Sequence, residues 1–165
     1  ACPVPRDGFV PILRIRGCRG RARMKPRIAG MGAGAVGGYV GGHLSRLGHD
    51  ITLIDAWPEH VETVRAQGLN LYGMTEEERC TVRLPILHLT EVQSFVKQRP
   101  VDIAVISVKS YDTEGATLMM RQYLAPGGFV CLGHSESMSR MSSLFVPRRF
   151  PDAILYQKPV DGGAA

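Results

Sequence analysis

The sequence predicts one α/β domain built on a mostly parallel sheet with helices on both faces, and three observations predict it. Short apolar runs alternate with amphipathic helical stretches along most of the chain. A G-x-G-x-x-G loop at residues 32–37 follows the first apolar run, and an acid, Asp55, ends the second run about 20 residues later. Strand, glycine loop, helix, strand and acid in this order are typical of the Rossmann-type doubly wound fold.

The first half of the chain alternates strand and helix without long connections. We predict strands over residues 27–31 and 51–54, separated by a helix over residues 35–47. Gly41 and Gly42 interrupt that helix. Since glycine is a poor helix former, this pair indicates that one face of the helix packs very close to the sheet.

A second helix and two short strands are predicted next. Pro58 suits the first turn of a helix, where a missing N–H costs nothing, and Gly68 ends that helix. Residues 69–88 predict two short strands joined by an exposed turn. The glutamate run at residues 76–78 lies in that turn, and we interpret it as a solvated surface rather than a metal site.

The second half continues the alternation. Thr90 and Gln93 have the spacing of a capping box, which predicts the start of a third helix. Asp112 is predicted to cap a fourth helix, and residues 125–128 are predicted as a turn. The remaining strands are predicted over residues 101–108, residues 129–132 and, at the edge of the sheet, residues 153–157.

The glycine loop predicts a dinucleotide site. Gly32 permits the tight turn, Gly34 lets a pyrophosphate approach the backbone, and Gly37 lets the helix pack against the sheet. Free N–H groups at the positive end of the helix dipole would then face the phosphates. These N–H groups belong to Ala33, Gly34, Ala35 and Val36. Asp55 can accept hydrogen bonds from the ribose hydroxyls, and its charge would repel a 2′-phosphate, which favours NAD over NADP.

The charge distribution, the cysteine spacing and the lengths of the apolar runs argue against a nucleic-acid-binding, metal-binding or membrane-spanning protein. The net charge is +5, but residues 1–27 hold eight Lys or Arg against one acid, so the body of the chain is slightly acidic. We therefore predict no nucleic-acid surface. The four cysteines form no C-x-x-C pair, which predicts a reduced, cytoplasmic protein with incidental thiols and no bound metal. No apolar run is long enough for a transmembrane helix.

Several stretches resemble the N-terminal domain of the ketopantoate reductase (2-dehydropantoate 2-reductase) family over about residues 25–130. They are IAGMGAGAVGGYVGGHLSRLGHDITLID, WPEHVETVRAQGL, DIAVISVKSYDT and YLAPGGFV. The family reduces a 2-keto acid with a nicotinamide cofactor, usually NADPH. The resemblance implies that Gly32, Gly34 and Gly37 form the phosphate turn and that Lys109 lies beside cofactor and substrate. Asp55 and its neighbours Ala56 and Trp57 stand where NADPH-preferring members carry a basic residue, which favours NAD.

The chain departs from that family after the fifth strand. The family has an Asn-Gly pair there, whereas residues 131–137 read CLGHSES. The family's helical C-terminal domain, with its proton-donating lysine, has no counterpart in the sequence. We therefore expect cofactor binding without complete catalysis, unless a partner chain completes a site for the small 2-keto acid. A missing domain would also expose apolar surface, which favours self-association.

The end of the chain resembles chemotaxis receptor methyltransferases, which use S-adenosylmethionine. The resemblance covers about residues 124–159 and is carried by LAPGGFVCLGHSESMSRMSSLF and FPDAILYQKP. It indicates a chimera joined near residues 126–132. The alternatives are therefore a methyltransferase fragment that binds S-adenosylmethionine and a fusion product without selected activity. We interpret His134, Ser135 and Glu136 as a turn cap rather than a catalytic triad.

The predicted organisation has three parts. Residues 1–24 are a disordered basic leader, which is also consistent with translated upstream sequence before a start at Met24. Residues 25–132 are the dinucleotide-binding domain. Residues 133–165 are a methyltransferase-like tail that completes the edge of the sheet or is partly disordered.

Overall fold

The computed structural model describes residues 25–73, 79–133 and 142–160. The strands are β1 Arg27–Met31, β2 Asp50–Asp55, β3 Leu69–Leu71, β4 Cys80–Val82, β5 Ile86–His88, β6 Val101–Ile106, β7 Leu124–Cys131, β8 Val146–Phe150 and β9 Ala153–Gln157. The α-helices are α1 Ala35–Arg46, α2 Pro58–Gln67, α3 Val92–Gln98 and α4 Thr113–Tyr123. The predicted leader and the predicted turn cap at residues 134–136 lie outside the described residues.

Seven strands form the main sheet in the order β5-β2-β1-β6-β7-β9-β8. The first five of these are parallel to one another. Because β1 has β2 on one side and β6 on the other, the strand order reverses there and leaves a crevice at the carboxyl ends of the strands. The predicted Rossmann-type fold is confirmed.

The core has two halves, one on each face of the sheet. Successive residues of a strand point to opposite faces, and Ile28 and Ala29 of β1 accordingly belong to different clusters of buried side chains. Val61 of α2 packs with Ile28, whereas Val92 of α3 and Met120 of α4 pack with Ala29. The two pairs of helices therefore cover opposite faces.

Helix α1 packs against the sheet through glycine. A Cβ added to Gly41 would lie 2.6 Å from Leu53 Cδ2, and one added to Gly42 would lie 2.8 Å from Leu71 Cδ1 and Cδ2. Both distances are shorter than any van der Waals contact between carbon atoms. The predicted close approach is confirmed, and it brings α1 directly onto β2 and β3.

Residues 69–88 differ from the prediction of two strands. Strands β3 and β4 form a separate antiparallel pair, and the third strand, β5, joins the main sheet beside β2. Pro85 separates β4 from β5 because proline has no N–H to continue a ladder. Its carbonyl oxygen instead accepts from Leu53 N at 3.0 Å. The predicted acidic turn at residues 76–78 lies outside the described residues.

The capping box before the third helix consists of His88 and Glu91. Glu91 Oε2 accepts a hydrogen bond from His88 N at 2.7 Å. The prediction of Thr90 and Gln93 is therefore wrong. The physical reason is that a 3-10 turn, Leu89–Glu91, precedes α3 and moves the cap towards the N-terminus.

Asp112 stands at the N-cap of α4, as predicted, but its side chain makes no capping hydrogen bond. A 3-10 turn, Ser110–Asp112, leads into the helix and gives Asp112 a helical ψ of −10°. A capping side chain normally sits on extended backbone. The predicted cap is therefore correct in position and wrong in its interaction.

Residues 125–128, predicted as a turn, belong to β7 in the structure. Leu124 of β7 pairs with Val101 of β6, and the next pair is Phe129 with Ile103. Between these two pairs β7 advances by five residues and β6 by only two. The intervening residues bulge out of the ladder. Gly127 has a φ of 77° there, a value that favours glycine.

The strand predicted over residues 153–157 is β9, but it does not lie at the edge of the sheet. It lies between β7 and β8, antiparallel to both, and β8 is the edge. The physical reason lies in the side chains. Exposed Arg148 and Arg149 suit β8 to an edge, where charge prevents pairing with other chains, whereas Tyr156 of β9 packs on the core.

Lys158 ties this hairpin to the rest of the domain. Its Nζ donates to Arg121 O at 2.8 Å and to Leu124 O at 2.7 Å, where the last carbonyl groups of α4 have no intrahelical partner. Its backbone exchanges hydrogen bonds with the β7 bulge, at Gly127 and Gly128. Burial lowers the pKa of the Lys158 ammonium.

We expect Lys158→Ala to lower the free energy of unfolding by about 1–3 kcal/mol, because it leaves carbonyl groups at the end of α4 without a donor. Urea unfolding followed by circular dichroism measures this. Lys97→Ala, at an exposed lysine of α3, is the matched control, and we expect a change within about 0.5 kcal/mol. Equal effects of the two substitutions would show that the hairpin does not depend on Lys158.

Candidate functional site

The glycine loop turns sharply at the carboxyl end of β1. Gly32 has a φ of +94°, and a Cβ there would lie 2.8 Å from Ser107 O. Gly37 is still more confined, since its Cβ would lie 1.9 Å from Gly32 O. Gly34 is the opposite case, because its Cβ would meet nothing within 4 Å. The loop is therefore packed tightly on the sheet and open at Gly34.

Helix α1 begins directly after the loop. By helix geometry, the N–H groups of Ala35, Val36 and Gly37 have no intrahelical acceptor, and they lie at the positive end of the helix dipole. Ala33 differs from the prediction of a free N–H, because it donates to Asp55 Oδ2 at 2.7 Å. The carboxylate reaches the loop because β1 and β2 are neighbours and end side by side.

Asp55 is half-buried and accepts two backbone hydrogen bonds. Besides Ala33 N, Trp57 N donates to Asp55 Oδ1 at 2.9 Å. An ionised carboxylate has about four acceptor positions. Each oxygen therefore retains capacity for one further donor, and the carboxylate is fixed in position beside the glycine loop.

Two histidines support this part of the site, and sequence reasoning did not single them out. His60 Nε2 lies 2.9 Å from Ala33 O, and His88 Nε2 lies 3.2 Å from Ala56 O. A carbonyl oxygen only accepts, so both ring nitrogens donate. No local pattern could have predicted these contacts, because the partners lie 27 and 32 residues apart in the chain.

Lys109 lies just beyond the carboxyl end of β6 and its side chain is exposed. Ser107 N donates to Met31 O at 2.8 Å, which holds the segment after β6 against the end of β1. Lys109 O accepts from Asp112 N at 2.8 Å and so anchors the following 3-10 turn. The glycine loop, Asp55 and Lys109 therefore all lie at the carboxyl ends of the parallel strands β1, β2 and β6.

Three further features of residues 25–73, 79–133 and 142–160 concern metal ligands, a thiol and helix length. In those ranges no three His, Cys, Asp or Glu residues are grouped so that they could hold a metal ion. Burial raises the pKa of the Cys131 thiol to about 11, so this thiol is protonated at neutral pH. No helix in the same ranges is long and apolar enough to cross a membrane.

We expect Gly37→Ala to destabilise the domain by about 1–3 kcal/mol or more, because the new methyl group would collide with Gly32 O. Gly34→Ala is the matched control, since its methyl group enters open space. It should cost less than about 1 kcal/mol, as alanine is a poorer N-cap than glycine. Thermal and urea unfolding measure both. A stable Gly37→Ala variant would contradict the packing described for the loop.

Comparison with known proteins identifies the family. A model of the family described as ketopantoate reductase PanE/ApbA matches residues 28–134. A 2-dehydropantoate 2-reductase from Pyrococcus horikoshii is 33% identical over 86 residues, which cover 52% of this chain and 25% of the relative. Chemotaxis protein methyltransferase 2 from Vibrio cholerae is 32% identical over 105 residues, which cover 61% of this chain and 36% of the relative.

A solved structure of D-mandelate dehydrogenase in a ternary complex with NADH and anilino(oxo)acetate has a similar fold. Its TM-score is 0.56 at 28% identity, with 70% of this chain and 36% of that chain covered. This chain spans between a quarter and about a third of the length of the curated relatives given above. Because the family model matches more than half of its residues, the chain belongs to the ketopantoate reductase PanE/ApbA family.

Proposed function

We propose that this chain is the dinucleotide-binding domain of a ketopantoate-reductase-type oxidoreductase and that it takes NAD in preference to NADP. The observation that carries the proposal is the arrangement of Asp55 beside an open glycine loop at the start of α1. Gly34 leaves room for a pyrophosphate, and the N–H groups of the first helical turn suit an anion. The family membership and the NADH in the D-mandelate dehydrogenase structure also support it.

The preference for NAD rests on Asp55, the last residue of β2, and on the two residues that follow it. The Asp55 carboxylate can accept hydrogen bonds from both ribose hydroxyls, whereas it would repel a 2′-phosphate. Ala56 and Trp57 come next, and neither supplies the positive charge that a 2′-phosphate needs. The carboxylate is already oriented by two N–H groups, so ribose binding requires no large rearrangement of it.

When bound, the cofactor supplies a hydride for the carbonyl carbon of a 2-keto acid. Lys109 would attract the substrate carboxylate and stabilise the negative charge that develops on the carbonyl oxygen. A proton donor for that oxygen is also needed. We assign no such donor to this chain, and we propose that a further polypeptide segment completes the site. Reduction of ketopantoate is accordingly a proposal about the whole enzyme.

We also propose how the chain is organised along its length. Residues 25–132 form the cofactor domain, residues 1–24 are a basic leader, and the tail at residues 133–165 completes the sheet through β8 and β9. We propose a cytoplasmic protein that self-associates through the surface that the rest of the enzyme would cover.

A second candidate is a fragment of a methyltransferase that uses S-adenosylmethionine. The similarity to the Vibrio cholerae enzyme, over 61% of this chain, favours it. S-Adenosylmethionine also carries a ribose, and Asp55 could accept hydrogen bonds from its hydroxyl groups. Under this candidate the chain is a chimera joined near residues 126–132, or a fusion product without selected activity.

We expect the wild-type chain to bind NADH at least about tenfold more tightly than NADPH, because the Asp55 carboxylate repels the 2′-phosphate. A tenfold ratio of Kd values corresponds to about 1.4 kcal/mol. Asp55→Asn should narrow that ratio, because it removes the charge and keeps one acceptor oxygen. Isothermal titration calorimetry measures each affinity. Asp152→Asn, at an exposed acid in the β8–β9 turn, is the control and should leave the ratio unchanged.

The same calorimetry separates the candidates. Binding of S-adenosylmethionine without binding of NADH or NADPH would overturn the reductase proposal and favour the methyltransferase candidate. Tighter binding of NADPH than of NADH would overturn the NAD preference alone.

We also expect the chain to oxidise no NADH when ketopantoate is added, because no proton donor is assigned to it. Ultraviolet absorbance of NADH measures turnover directly. The control is a complete reductase of the family under the same conditions. Steady turnover by this chain alone would show that its own residues complete the site.

A further inference from the structure

We infer that the indole of Trp57 stacks on the adenine ring of the bound dinucleotide. The inference rests on the proposed function, because it assigns the adenine subsite of the same cofactor site. It goes beyond that proposal because it names the residue that contacts the adenine base, whereas the proposal concerns the phosphate and ribose groups. Trp57 has the position, the exposure and the supporting side chain that such a stack requires.

The position of Trp57 follows from its hydrogen bond to Asp55. Trp57 N donates to Asp55 Oδ1 at 2.9 Å, so the backbone of Trp57 touches the carboxylate proposed to hold the ribose. In a dinucleotide the adenine is attached to that ribose. The indole is therefore within a side chain's length of the place where the adenine must lie.

Trp57 is also unusually open for its size. Its exposed fraction is 62%, although tryptophan is on average a highly buried residue. Its ring packs in a stacked arrangement with the His60 ring, with centroids 6.1 Å apart and planes inclined by 26°. Much of the indole is thus left to solvent and available to a flat aromatic ligand.

His60 holds the indole in a defined place. Its Nε2 donates to Ala33 O, so the ring that supports Trp57 is anchored to the glycine loop. Pro58, the first residue of α2, also restricts the backbone next to Trp57. A preformed platform loses little side-chain entropy when the ligand binds, and such platforms favour affinity.

The test uses the emission of Trp57, which is the only tryptophan among the 165 residues. The full chain is titrated with 5′-AMP, with nicotinamide mononucleotide and with NADH. We expect 5′-AMP to quench the tryptophan emission saturably and nicotinamide mononucleotide to leave it unchanged. A stack on adenine predicts this difference because 5′-AMP carries adenine and nicotinamide mononucleotide does not.

Three variants then test the contribution to affinity by calorimetry. Trp57→Ala should raise the Kd for NADH and for 5′-AMP about tenfold, in line with aromatic–base stacking. Trp57→Phe keeps an aromatic face and should change either Kd by less than about threefold. Tyr72→Ala, at another exposed aromatic outside the main sheet, should change neither.

Two results would overturn the inference, and they are distinguishable. If the wild-type chain binds NADH, but Trp57→Ala binds it equally well and 5′-AMP leaves the emission unchanged, the stacking contact is absent and the proposed function stands. If the wild-type chain binds no dinucleotide by calorimetry, both fail. Circular dichroism of each variant confirms that the fold is retained.

Discussion

The glycines on the buried face of α1, which carry no side chain, are the constraint on which the rest of the site depends. A Cβ on Gly37 would lie 1.9 Å from Gly32 O, and a Cβ on Gly41 would reach Leu53. This close approach places the start of α1 at the carboxyl end of β1, where its unpaired N–H groups can meet an anion. Asp55 reaches the same loop by a different route, because β1 and β2 are neighbours that end side by side. The phosphate and ribose parts of the proposed site therefore meet at the glycine loop.

The fold was largely predictable wherever a structural feature depends on local chemistry. The strands at residues 27–31 and 51–54, the proline start of α2 and the glycine end at Gly68 were all visible as sequence patterns. The site residues of the glycine loop, Asp55 and Lys109 were placed on elements that do meet at one edge. Their roles in binding stay predictions.

The features that could not be predicted are those that depend on distant partners. His60 and His88 look like ordinary surface residues until the fold brings Ala33 and Ala56 beside them. Strand β5 reads as the continuation of β4, because three-residue strands carry too little pattern to reveal which sheet they join. The position of β9 inside the sheet likewise depends on its competition with β8, which no single segment encodes.

The geometry of β7 determines how the hairpin of β8 and β9 joins the rest of the domain. In the sheet the hairpin of β8 and β9 pairs with β7 through β9. Outside the sheet, Lys158 Nζ donates to Arg121 O of α4, and Tyr156 packs on the core. The contacts with β7 include the pairs Phe129–Gln157 and Val130–Tyr156, the backbone bonds between Lys158 and the bulge, and the bond from Gln157 Nε2 to Gly127 O at 3.0 Å. The bulge at residues 125–128 changes the register between β6 and β7, and the same residues bond to Lys158 directly after β9. The glycine loop, Asp55 and Lys109 make no described hydrogen bond to the hairpin, so a change in the hairpin would leave the proposed site in place.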